Sequence, residues 1–472
     1  MHRKNSATRP EELPQEHGRV LMLSAGSIIG AGFFVGVGET ISLAGPGVLV
    51  TFLLIGAVAV IVNFFLIEMA LSGPKHLYFH QYVGIAFGPA AGSAVGWAYI
   101  MGMVVGPASE VAAAGMLLRQ WIGSGSVGWY CIFVALVAIL ISLVSRRLVL
   151  ELELWTAFLR IFLLLGFSLM GLASILGLFP SLVPPTCLEN YLPEESFFPH
   201  GLWGVLAAGM GVTMIYGGTE SIGLFSEDDQ NNALNVPSIT YTIVLRMVFL
   251  YSFAATVLVG VLPWENASAS ASPFVLALIF LGADSVIVHL FTVGILASII
   301  TLAVTDMFLV ERLLLLLSKD GYFPQGLFGS GPGKQQANSC IATRVLLFGV
   351  LLVALRGDHA YLRLFYLSGF GFFFIWVMLT LAFPRYCRLA REANPDLCEH
   401  WRVPCPRLLQ AVVLTILGAG LVCFSTTSLG RDTLLTSLTW LLLSCVHHVV
   451  ARHGQGGRHC GQSGHRYLLP RL

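Results

Sequence analysis

The chain has 472 residues, of which 56 % are hydrophobic and 11 % charged, with a formal net charge of +1. Soluble proteins carry about 25 % charged residues, so this composition excludes a soluble globular protein and points to a polytopic membrane protein. The near-neutral charge identifies no partner beyond the lipid bilayer, and no nucleic acid is expected.

Residues 1–19 are polar, with Pro10 and Pro14, and read as a cytoplasmic N-terminal tail. They lead into a long span, not into a short apolar core with a cleavage site, so no cleavable signal is expected. Twelve apolar runs then approach or exceed the roughly 20 residues that a bilayer requires. They lie near 20–44, 47–71, 92–118, 128–147, 153–178, 202–226, 239–262, 285–317, 338–356, 360–384, 407–427 and 432–451. Together they form one all-α membrane domain over 20–451, followed by a cytoplasmic tail over 452–472. With the N-terminus inside, the inside loops collect Arg3, Lys4, Arg146, Arg147, Lys319, Arg385, Arg388, Arg391 and Arg402, against Arg119, Arg356, Arg363 and Arg431 outside. The positive-inside rule therefore places both termini in the cytoplasm. The nine cysteines are scattered without a CxxC pair, so no metal or redox motif is expected.

The first run contains Gly26-Ser-Ile-Ile-Gly-Ala-Gly32, and Gly26, Gly30, Gly32, Gly36 and Gly38 fall within thirteen residues. Each glycine weakens a helix by about 1 kcal/mol relative to alanine. Irregular backbone at membrane depth survives only where it packs in protein or lines a polar cavity. The sixth run holds a second interruption, Tyr216-Gly-Gly-Thr-Glu220. Interrupted segments at matching positions of two halves point to a transporter built from inverted repeats, here spans 1–5 and 6–10 with spans 11 and 12 appended. Each glycine pattern has a second reading: small-xxx-small spacing lets helices pack closely, and packing and binding are not exclusive.

The ordered motifs resemble the amino acid–polyamine–organocation superfamily, and within it the bacterial-type amino acid permeases. Gly26 to Phe34 looks like the first-helix signature, followed by Ala44-Gly-Pro-Gly47, Glu68-Met-Ala70 and Gly96-Trp-Ala-Tyr99. Pro107 to Gly115, Gly217-Gly-Thr-Glu220, Ser226-Glu-Asp228, Asn235-Val-Pro237, Pro263-Trp264, Lys319-Asp-Gly321 and Leu367-Ser-Gly369 with Trp376 continue the series. The resemblance covers about residues 18–450. It implies a leucine-transporter-like fold, a 5+5 inverted repeat plus two helices, and secondary transport of amino acids across the plasma membrane by alternating access. It further implies that the substrate α-carboxylate meets the backbone of Ser27, Ile28, Ile29, Gly30, Ala31 and Gly32. The ammonium meets Ile215, Tyr216, Gly217, Gly218 and Thr219. A half-helix N-terminus carries about half a positive charge and free N–H donors, which suits the first of these assignments.

Charges at bilayer depth are functional candidates by default. Glu110 in span 3 stands where related permeases carry a glutamate linked to proton coupling or substrate recognition; the other reading is a structural carboxyl. Glu220 binds substrate, gates, or satisfies loose backbone donors. Glu68 reads as a helix-end residue. Arg160 in span 5 departs from the lysine of many proton-coupled relatives. Arginine does not give up its proton, so Arg160 reads as a permanent cation holding helices 1, 5 and 8, or as a side chain reaching the inner interface. Coupling through Glu110, or amino acid exchange, remains. Ser298 and Thr301 fall where sodium-coupled relatives supply hydroxyl ligands, or else make interhelical hydrogen bonds. Asp306, Glu311 and Arg312 are placed towards the cytoplasmic end of span 8, the last two in an inner charge network. His76 and His80 read as interfacial. There is no GxxxxGK[ST], so gradients must drive transport. No catalytic cluster, cofactor or metal is expected. The rival readings are an amino acid sensor without net transport and a membrane enzyme.

Overall fold

The computed structural model describes residues 29–72, 77–144, 146–178, 187–191, 196–221, 236–267, 271–319, 332–355, 359–393 and 402–454. Within these residues the chain is helical, and no strand occurs. A π-helical turn, Gly32–Gly36, runs into α1 (Val37–Ala44). Then follow α2 (Val48–Leu71), α3 (Phe79–Phe87), α4 (Pro89–Ile122), α5 (Val127–Ser142), α6 (Arg146–Ile175), α7 (Cys187–Tyr191) and α8 (Gly201–Tyr216). The remainder is α9 (Val236–Val261), α10 (Pro273–Phe280), α11 (Ser285–Lys319), α12 (Pro332–Ala354), α13 (Ala360–Ala393), α14 (Pro406–Ser425) and α15 (Ser428–Gly454).

Among the described residues seven stretches are long and apolar enough to cross a membrane: 37–71, 89–122, 147–175, 241–261, 285–318, 360–393 and 406–425. Three shorter apolar helices lie at Val127–Ser142, Gly201–Tyr216 and Asn338–Leu352. The chain is thus an all-helical, multi-pass membrane protein. Residue size decides which helix is central. α4 is rich in glycine and alanine, which lets neighbours approach, and its most apolar stretch is 94 % buried. It packs against α13, α11 and α5. α14, with large side chains outward, is peripheral and only 17 % buried over its apolar stretch. Trp155, Phe162 and Phe249 point outward, as a lipid-facing surface requires.

Candidate functional site

Two helix ends meet beside α4. On the first side the chain enters from Ile29 and Gly30 and winds through the π turn, a rare geometry often found at functional sites. The N–H of Ala31 donates to both carboxylate oxygens of Glu110, at 2.9 and 3.1 Å. The Ala31 carbonyl accepts from the Tyr361 hydroxyl at 3.3 Å, and the Phe34 carbonyl accepts from the Ser272 hydroxyl at 2.7 Å. The glycines of this run serve two purposes. A Cβ at Gly36 would lie 2.6 Å from a Phe365 ring carbon, so Gly36 admits α13. A Cβ at Gly30 would lie 2.5 Å from Glu110 Oε1, so Gly30 admits the carboxylate.

On the second side α8 stops at Tyr216. Gly217 is extended (φ −57°, ψ 148°) and Gly218 takes φ +93°, a conformation that favours glycine. A Cβ at Gly217 would also lie 2.5 Å from the Phe372 ring. The Gly218 N–H donates to Glu220 Oε1 at 3.2 Å, and the Trp376 indole N–H donates to Glu220 Oε2 at 3.3 Å. Glu220 is 4 % exposed and acts as a side-chain cap on the interrupted backbone. Asn63 donates to the Thr219 hydroxyl at 3.1 Å.

Between the two ends lies a cavity of about 60 Å³. Gly30, Gly32 and Phe33 line it from one side, and Met214, Ile215, Gly217 and Gly218 from the other. Gly102, Met103, Gly106 and Glu110 of α4, Leu302, Asp306 and Leu309 of α11, and Ser368 and Phe372 of α13 complete the wall. Of the sequence candidates, Gly30, Gly32, Ile215, Gly217, Gly218 and Glu110 converge here. Ile29 is buried in the core beside it, and Ala31 faces Glu110. Tyr216 sends its hydroxyl to the Phe52 carbonyl at 3.4 Å, and Thr219 is held by Asn63. Ser27 and Ile28 lie outside the described residues, as do Ser226 to Asp228 and His76.

Arg160 is fully buried and does not line the cavity. Its guanidinium donates to Glu153 Oε1 and Oε2 at 2.7 and 3.0 Å, to the Ser298 carbonyl at 2.8 Å and to the Thr301 hydroxyl at 3.2 Å. It therefore ties α6 to α11 and does not reach an interface. Ser298 contributes its carbonyl to Arg160 and not its hydroxyl, which donates within its own helix to Gly294 at 2.7 Å. Thr301 also pairs with Thr156 at 2.9 Å.

Asp306, given no role from the sequence beyond its place along span 8, opens onto the central cavity. Glu311 pairs with Arg344 at 3.4 Å, and Arg344 also donates to the Ser142 carbonyl at 3.1 Å, joining α11, α12 and α5. Glu68 accepts from Arg391 at 3.0 Å and from the Val403 N–H at 2.7 Å, fastening α2 to α13 and to the segment before α14. Sequence reasoning did not single out Phe372 and Ser368, which line the cavity, or Tyr361, which bonds to Ala31 beside it. Their signal was faint: Ser368 sits in Leu367-Ser-Gly369, and the others are aromatics in an aromatic-rich helix. A second cavity, about 600 Å³, lies where α1 and α4 end and α5 and α13 begin. Glu39, Arg119, His359 and Tyr361 line it, so Tyr361 stands between this larger space and the Ala31 backbone. Among the described residues no group of three or more His, Cys, Asp or Glu is placed to hold a metal ion.

Comparison with known proteins places the chain in a family. Residues 19–431 match the family described as Amino acid permease. The chain is 27 % identical over 441 residues to the uncharacterized amino acid permease YvbW of Bacillus subtilis (strain 168), covering 92 % of this chain and 96 % of that protein. It is 25 % identical to the gamma-aminobutyric acid permease of the same organism, with 90 % of each chain covered. It is also 25 % identical to a D-serine/D-alanine/glycine transporter of Escherichia coli O6:H1, again with 90 % of each covered.

Proposed function

The chain belongs to the amino acid permease family, and on that premise we propose that it is a secondary carrier that moves an amino acid across the cell membrane by alternating access. The observation that carries this reading is the cavity between the entry to the π turn and the end of α8. At the entry to the π turn, N–H groups and the positive end of a helix favour a carboxylate. At Tyr216 the end of α8 offers carbonyls and a negative end, which favours an ammonium. A zwitterion bridging the two satisfies both.

Glu110 already holds the Ala31 N–H with a carboxylate. In this reading the α-carboxylate of the substrate replaces it, so binding displaces Glu110, and coupling runs through that carboxyl or through exchange of one amino acid for another. Arg160 supplies a fixed cation that does not cycle. The leucine-transporter-like arrangement, a 5+5 inverted repeat plus two helices with twelve spans and both termini cytoplasmic, belongs to the same proposal. With that orientation the 600 Å³ cavity faces outward, and Tyr361 is the thin gate above the substrate. Glu68–Arg391 and Glu311–Arg344 close the inner side.

Proteoliposome uptake of a panel of labelled amino acids tests the proposal, with and without a pH gradient, a sodium gradient and internal amino acid. Saturable uptake supports a carrier; saturable binding with no flux makes the protein a sensor. Gly30→Leu is expected to abolish binding in a correctly inserted protein, and intact binding would overturn the site.

A further inference from the structure

Resting on the reading of the central cavity as the substrate site, we propose that the preferred substrate carries a net positive charge. It is an amino acid with a basic side chain, and Asp306 is the residue that selects it. Two carboxylates on separate helices open onto the same small space, Glu110 from α4 and Asp306 from α11. No lysine, arginine or histidine lines it among the described residues. Arg160 lies within electrostatic reach of both, but its charge is matched by Glu153 in a bidentate pair.

The two carboxylates are not equivalent. Glu110 is engaged with the Ala31 N–H. Asp306 has no hydrogen bond among the described residues. Asp306 is half-buried, and a charge drawn out of water is costly unless it is paired, so Asp306 is a carboxylate waiting for a donor. When a zwitterion binds, its own carboxylate joins the two in the wall, and one α-ammonium faces three acidic groups. A second cationic group on the substrate gives Asp306 its partner and cuts that excess from two to one. The α-carboxylate then takes the first helix end, the α-ammonium the carbonyls at the end of α8, and the side-chain cation Asp306.

Two further features of the wall agree. Pro107 has no N–H to give, so the carbonyl of Met103, four residues earlier, lacks its helical donor. Met103 lines this cavity. Met214, Phe33 and Phe372 also line it, thioether and ring surfaces suited to an aliphatic chain ending in a cation. At about 60 Å³ the cavity holds no more than a few waters. A longer side chain therefore enters as the flexible Met103 and Met214 side chains move aside.

The test is a pair of size-matched competitors in proteoliposome uptake: lysine against norleucine, and ornithine against norvaline. The wild type is expected to favour the cationic member of each pair at least tenfold. Asp306→Asn is expected to reduce that preference at least tenfold, and Asp306→Glu to restore it. A wild-type ratio near one overturns the proposal, as does a preference that Asp306→Asn leaves intact. If Asp306→Asn does not yield folded protein, the wild-type ratio decides. Uptake of neutral amino acids alone refutes this inference and leaves the carrier reading standing. Failure to bind or carry any amino acid refutes the carrier reading itself.

Discussion

Gly30→Ala adds one methyl group where Glu110 already stands. An ideal Cβ there lies 2.5 Å from Glu110 Oε1 and 2.7 Å from Leu302 Cδ2. The leucine methyl ends a flexible chain and yields. The carboxylate can yield too, but it is held by the Ala31 N–H at 2.9 and 3.1 Å, and retreat to ordinary contact at 3.4 Å breaks that geometry. A hydrogen bond to a charged group contributes about 1.5–3 kcal/mol, and residual overpacking adds about 1 kcal/mol. The expected loss of stability is therefore about 2–4 kcal/mol. In a Glu110→Ala background both the bond and the clash are gone, and the same substitution should cost under about 1 kcal/mol. Denaturant titration of the four proteins in mixed micelles gives the coupling directly. It is expected near 2 kcal/mol, well above the roughly 0.5 kcal/mol scatter of independent sites. An equal cost of Gly30→Ala in both backgrounds would show that Glu110 does not lie over the first helix end.

Glu153→Gln leaves the Arg160 guanidinium buried without its carboxylate and should cost about 3–5 kcal/mol; an unchanged melting curve in detergent would refute the pairing. Trp376→Phe removes the indole donor on Glu220 and should cost about 1–3 kcal/mol in the same titration, whereas a neutral result would take Trp376 off the cap. Tyr361→Phe deletes the bond to the Ala31 carbonyl, a loss of about 0.5–1.5 kcal/mol, and should speed exchange flux in proteoliposomes; unchanged flux would remove Tyr361 as a gate. Replacing sodium by choline should leave uptake unaltered because the Arg160 cation is fixed, and a strict sodium requirement would contradict that.

The membrane class was legible from composition alone, and the two glycine clusters led straight to the backbone that walls the cavity. Glycine is legible because it is chosen for what it permits: the positive φ at Gly218 and the close approaches at Gly30 and Gly217. Glu110 was visible as an intramembrane charge, but not that it reaches Ala31, a partner 79 residues away. Long-range pairing of this kind depends on how α4 is rotated, which no local pattern records. That Asp306 faces the cavity was not legible for a similar reason: it depends on how α11 is rotated against its neighbours. Arg160 shows a third limit: its residue type excluded proton release, yet the carboxylate matching it is Glu153, two helical turns back on the same helix.

That last placement bears on how the protein is made. Arg160 and Glu153 are seven residues apart on α6, so their pair needs no other helix in order to form. A lone arginine at the centre of an inserting segment costs about 2.5–3.5 kcal/mol or more. A helix that folds with both side chains on one face instead enters the bilayer as a neutral unit, its charge matched before assembly. α11 comes later in the chain and meets the donors left over, offering the Ser298 carbonyl and the Thr301 hydroxyl. The buried arginine is then less a burden on insertion than the mark by which a later helix finds its place.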